Sequence, residues 1–126
     1  MKLAGPTCLL LGATLALHGP ARADLIDIDW GAQQRFERSL QIAPGRFAEL
    51  CGKLPAGTAV AWQFESAEPL DFNIHYHEGK AVHYPEKRSA TARGEGRLQV
   101  KIEQDYCWMW TNKSPRPAAL KVQLAR

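Results

Sequence analysis

The sequence predicts an all-β protein, an antiparallel β-sandwich of jelly-roll type with about eight short strands. Three observations lead there. Apolar and polar residues alternate in several segments: Val60, Trp62 and Phe64; Leu70, Phe72, Ile74 and Tyr76; Leu98, Val100 and Ile102; Leu120, Val122 and Leu124. A period of two with one apolar face is what a sheet packed on one side requires. Turn-forming residues recur between these segments, at Pro44-Gly45, Pro55-Ala56-Gly57, Glu68-Pro69, Glu78-Gly79, Gly94 to Gly96 and Ser114 to Pro117. No long amphipathic helix, internal repeat or low-complexity tract competes with the β pattern.

The elements follow in chain order. Met1 and Lys2 begin a short positive stretch, Leu3 to Leu17 is mostly apolar, and Ala21-Arg22-Ala23 is a small-residue cleavage site. These are the marks of a secretory signal peptide over residues 1–23, cleaved before Asp24, and they place the protein in the periplasm or outside the cell. The apolar run is too short for a bilayer span and is broken by Gly5, Pro6 and Gly12. Cys8 sits too early for a lipidated cysteine. Residues 24–34 show no period and are expected to be a loosely attached leader. Strand-length segments then fall near 35–42, 46–51, 58–66, 70–77, 81–84, 96–103, 105–111 and 118–125, so residues 35–126 form one sandwich domain.

Loss of Lys2 and Arg22 leaves 14 basic against 13 acidic side chains, scattered without a block. That balance offers no footprint for nucleic acid or an anionic membrane. Cleavage also reduces three cysteines to two, Cys51 and Cys107. An even pair in an oxidising compartment reads as a disulfide, the competing reading being a Cys107 thiolate ligand beside a buried Cys51 thiol.

An ordered set of short motifs resembles the GOLD (Golgi dynamics) β-sandwich family: Leu50-Cys51, Gly57-Thr58, Trp62-Gln63-Phe64, Leu70-Asp71-Phe72-Asn73-Ile74, then Tyr106-Cys107 and Thr111-Asn112. The resemblance spans about residues 46–125. It implies two packed antiparallel sheets and a Cys51–Cys107 disulfide. The coiled coil, transmembrane helix and tail of that family have no counterpart here, so the resemblance implies a fold and not the family's role in cargo transport.

All three histidines after residue 23, His75, His77 and His83, lie within nine residues. With Glu78-Gly79-Lys80 as a three-residue hairpin loop, His75 faces His83, His77 faces Ala81, Tyr76 faces Val82 and Ile74 faces Tyr84. That register puts the apolar residues on one side and the three imidazoles on the other, close enough to share one ion. A two-residue loop mixes the faces. Neutral imidazole suits copper, with zinc as the alternative ion. The plain alternative is three solvent-facing strand residues.

In Tyr106-Cys107-Trp108-Met109-Trp110, Cys107 and Met109 share one strand face and the tryptophans the other. The Met109 thioether is a candidate soft ligand for copper, set against ordinary core packing. No nucleophile elbow, phosphate loop or acid/base carboxylate pair is present, so no enzyme is expected. The leading expectation is a periplasmic protein that binds or transfers copper through His75, His77, His83 and Met109. The runner-up is an envelope interaction module presenting Tyr76, Tyr84, Trp108 and Trp110.

Overall fold

Seven strands and no helix make up residues 24–126, the residues that the computed structural model of the protein describes. The signal peptide expected over residues 1–23 lies outside them. The strands are β1 (Asp24–Asp27), β2 (Arg35–Ile42), β3 (Phe47–Leu54), β4 (Ala59–Glu78), β5 (Ala81–Gln99), β6 (Gln104–Thr111) and β7 (Ala118–Ala125). They form one curled sheet in the order β1-β3-β6-β4-β7-β2, with β5 paired to β4.

The sandwich arises because the long β4–β5 hairpin belongs to both layers. Residues Ala61–Ser66 of β4 pair with β7, whereas Asp71–His75 pair with β6. Between Glu65 and Leu70 five residues of β4 advance against two of β5, from Arg93 to Thr91, so β4 bulges where the sheet turns over. Two ion pairs fasten this corner: Glu68 with Arg116 at 2.6 Å and Asp71 with Lys113 at 2.6 Å. Asp71 also accepts a hydrogen bond from the backbone of Ala90, which sits at φ 47° in the matching kink of β5. One layer is β2-β7-β4-β5 and the other β1-β3-β6-β4-β5.

Between the layers lies an aromatic core. Trp62 and Phe64 come from the first half of β4, Phe72 from its second half and Trp110 from β6, and Phe64 meets Trp110 edge-on at 5.6 Å. Gly94 and Gly96 of β5 lie directly opposite Phe64 and Trp62. Their lack of a side chain lets the two rings lie against the edge strand. Asn112, fully buried, donates to the carbonyls of Ile42 and Arg116 and accepts from the amide of Ser114, which organises the loop from β6 to β7.

The all-β class and sandwich layering agree with the sequence pattern, but three expectations need correction. Residues 24–34 are not a loose leader: Asp24–Asp27 pair in parallel with β3, and Trp30 is buried beneath the Arg126 guanidinium. The segments 58–66 and 70–77 are one strand, because the Glu68-Pro69 break is a bulge and not a chain reversal. Gly94 to Gly96 is likewise strand and not turn.

Candidate functional site

The outward face of the β1-β3-β6-β4-β5 layer gathers most of the chemistry-bearing residues. Alternation along β6 sends Trp108 and Trp110 into the core at 0% exposure and sets Cys107, itself buried, and half-buried Met109 on the outward face. Cys51 lies directly opposite Cys107, and the two are joined as a disulfide, which settles the alternatives for this pair. On the other side of β6, His75 lies opposite Cys107 and Asn73 opposite Met109. On β3, Glu49 lies opposite Met109.

Glu49 and His75 therefore flank β6 from both sides and reach towards each other across it. The Nε2 atom of His75 is 3.5 Å from Oε1 of Glu49, with the side chains only 7% and 16% exposed. The Nδ1 atom of His75 is 2.8 Å from Oδ1 of Asn73. An amide oxygen only accepts, so Nδ1 carries the hydrogen. In the neutral ring, Nε2 then presents a lone pair to the carboxylate. Burial lowers the pKa of His75 below the usual imidazole value, with Glu49 opposing this and His77 adding to it. Around neutral pH two acceptors thus face each other in a mostly buried space, an arrangement that a cation between them would satisfy.

His77 shares this outward face, its ring 5.3 Å from that of His75 and at 85° to it. Tyr84 approaches the His75 ring at 6.0 Å. His83 does not join them. The hairpin closes through Gly79 and Lys80 with Glu78 opposite Ala81, His77 opposite Val82 and Tyr76 opposite His83. The His83 ring stacks on Tyr76 at 4.9 Å, on the face away from His75 and His77.

The expected three-residue loop is therefore replaced by a two-residue one, with Gly79 at φ 58°. Pro85 supplies the physical reason. Pairing passes from Tyr76–His83 to Ile74–Glu86, so Tyr84 and Pro85 together stand opposite His75 in a bulge. Proline has no amide hydrogen for the ladder and is accommodated at such sites. The bulge restores the alternation that the two-residue loop would otherwise spoil. The two-residue loop itself sets Val82 opposite His77, on the outward face at 38% exposure, so Val82 is not the core residue that the sequence pattern implied.

Glu49 and Asn73 escape sequence reasoning for different reasons. Asn73 stands two residues before His75 and so shares its strand face, a signal that was available. Glu49 is brought in only by the order β3-β6-β4, which no local pattern contains. The tryptophans of the runner-up reading are core, and of its four aromatics only Tyr84 is largely exposed, at 50%. On the opposite layer, shallow cavities of about 520 and 670 Å³ share Gln63, Glu95 and Gln123 and contain neither histidine nor cysteine.

No family model and no curated protein matches the chain. Among solved structures it is similar to Aeromonas hydrophila PliG, a periplasmic inhibitor of g-type lysozyme, with TM-score 0.53 and 10% identity over 82% of this chain and 98% of that one. It is also similar to the pre-peptidase C-terminal domain of a Bacillus anthracis collagenase, with TM-score 0.51 and 11% identity over 85% and 96% of the two chains. Both likenesses are of fold. No helix among the described residues is long and apolar enough to cross a membrane.

The shifted pKa of His75 has a consequence for the metal-free protein. The unfolded chain takes up the proton at about pH 6.5, before the folded chain does, so stability falls as pH drops through that value towards the lower folded-state pKa. Melting temperatures measured between pH 8 and pH 5 are expected to fall more steeply for the wild type than for His75→Gln. Identical profiles would remove the buried neutral imidazole from this account.

Proposed function

We propose that the chain is an exported, non-catalytic copper-binding protein of the cell envelope, holding the ion over β6 between His75 and Glu49, with His77 and Met109 completing the ligand set. One observation carries this reading: the Nε2 lone pair of His75 and the Glu49 carboxylate meet at 3.5 Å while Asn73 occupies Nδ1. Two ligand atoms each about 2 Å from one ion lie roughly 3 Å apart, close to this separation. A hydrogen-bonded second nitrogen is also the usual way to orient a ligating imidazole. The thioether of Met109, between Glu49 and Asn73 on the same face, favours copper over zinc. The disulfide supports a GOLD-like sandwich, since it joins the two cysteines on which that resemblance rests.

The test is calorimetric titration of the metal-free chain with copper. Binding of one copper(II) per chain is expected, weakened about tenfold or more by Glu49→Gln and by His77→Ala. Met109→Leu keeps the volume but removes the sulfur, so it should weaken copper(I) more than copper(II). Micromolar binding that persists in a variant lacking Glu49, His75 and His77 together would sink the site.

A second reading rests on the apolar side chains of the same face. Leu25 at 69% exposure, Tyr84 at 50% and Val82 at 38% surround the polar cluster and suit a protein-docking surface. The likeness to a lysozyme inhibitor makes g-type lysozyme the first partner to assay. Inhibition by the wild type that is lost in Tyr84→Ala with copper binding intact would favour this reading.

A further inference from the structure

The Cys51–Cys107 bridge lies in the same cross-strand row as His75, and nothing in the proposed copper site uses its sulfurs. We propose that reduction of this disulfide by a dithiol converts the face into a thiolate site for zinc(II), with Cys51, Cys107, His75 and Glu49 as ligands.

Three of the four donors are already assembled, and His75 stands beside them. One carboxylate oxygen of Glu49 and the two Sγ atoms lie within 4.8 Å of one another. His75 stands opposite Cys107 across β6, and its Nε2 is 3.5 Å from the same carboxylate. Zinc binds thiolate sulfur at about 2.3 Å and nitrogen or oxygen at about 2.0 to 2.2 Å, so tetrahedral ligands stand roughly 3.3 to 3.8 Å apart. Rotation of the two freed thiols and of the His75 ring is what the site then requires to reach those separations. The two cysteines also remain opposite each other once the bridge opens, because the pairing of β3 with β6 from Phe47–Thr111 to Leu54–Gln104 holds them there. The Asn73 contact keeps the Nε2 atom of His75 aimed at Glu49.

The chemistry balances. Cys51 is the more accessible of the two, and a thiolate of the reductant attacks its sulfur, breaking the S–S bond, forming a mixed disulfide and releasing the Cys107 thiolate. The second thiol of the reductant then displaces Cys51 and leaves as a disulfide. Two electrons and two protons have passed to the cysteine pair, and zinc binding displaces both protons to solvent. The inference relies on the His75–Glu49 placement of the proposed function but not on copper, so copper loading of the oxidised chain and zinc loading of the reduced chain are scored separately.

The experiment uses the chain without its signal peptide, reduced with a phosphine, desalted without oxygen and titrated with zinc against a chromophoric chelator. Binding of one zinc per reduced chain is expected, at least 100-fold tighter than to the oxidised chain and abolished by alkylating the thiols. His75→Ala and Glu49→Gln should each weaken it tenfold or more, and His83→Ala should leave it unchanged. Zinc should also raise the melting temperature of the reduced chain. Equal affinities for the reduced and oxidised chains would overturn the proposal, as would wild-type affinity in His75→Ala and Glu49→Gln. A reduced chain that loses its β-sheet circular dichroism and does not regain it with zinc overturns it equally.

Discussion

Replacing both Cys51 and Cys107 by serine is expected to lower the unfolding free energy by about 4 kcal/mol. The bridge joins residues 56 apart in sequence, and closing a loop of that size removes entropy from the unfolded chain worth roughly this amount. It also links strands already paired in register, so the folded state loses little beyond the covalent link. For a domain of about 100 residues, a change of this size lowers the melting temperature by roughly 20 °C. Thermal denaturation of the double variant beside the oxidised wild type gives the value, and a shift of only a degree or two would mean that the bridge is not a structural staple.

Gly96→Ala is expected to be one of the two most damaging single-atom changes in β5. A Cβ built there falls 2.6 Å from Cζ2 of Trp62 and 2.9 Å from its Cε2. The indole cannot easily move aside, because Phe72 packs at 4.9 Å and the Arg88 guanidinium covers it at 5.0 Å. Relief must come from the backbone of an edge strand or from a poorer tryptophan rotamer, and overpacking of this kind costs about 1 to 3 kcal/mol. Gly94→Ala meets Phe64 at 2.5 Å and should behave alike. Arg97→Ala, at an exposed neighbouring position, should change stability by less than about 0.5 kcal/mol. Chemical denaturation of the three variants separates these cases, and near-wild-type stability of Gly96→Ala would show that the indole does not rest on β5 as described.

The same glycines show what was legible in the sequence and what was not. Alternation located β7 at Ala118–Ala125, because it follows the Ser114 to Pro117 turn and has one apolar face. It failed at Gly94 and Gly96, where the packing surface is supplied by rings from the neighbouring strand and no local apolar residue reveals it. The alternation of β6 correctly put Cys107 and Met109 on the face away from the two tryptophans, but it carried no sign that the indoles fill the core. In the hairpin, the reading that separated apolar residues from histidines rested on an unbroken ladder. The two-residue loop sets His83 opposite Tyr76, and the bulge at Tyr84 and Pro85 breaks the ladder and returns the expected faces only beyond it. Three of the four expected ligands, His75, His77 and Met109, nevertheless share one face, since a period of two survives within each strand. Glu49 comes from a strand separated from His75 by β6, so its place depends on topology alone.

A copper site over β6 depends on His75 and not on His83, and copper(II) titration of His75→Ala beside His83→Ala tests this. Both are single imidazole deletions in one hairpin. They differ in where the ring points: His75 is buried at 5% exposure with Nε2 towards Glu49, while His83 lies on the opposite face with its side chain 44% exposed. The expected result is an affinity at least 100-fold lower for His75→Ala and unchanged for His83→Ala, with both variants folded by circular dichroism. Equal losses in the two variants, or none in His75→Ala, would contradict a copper site over β6.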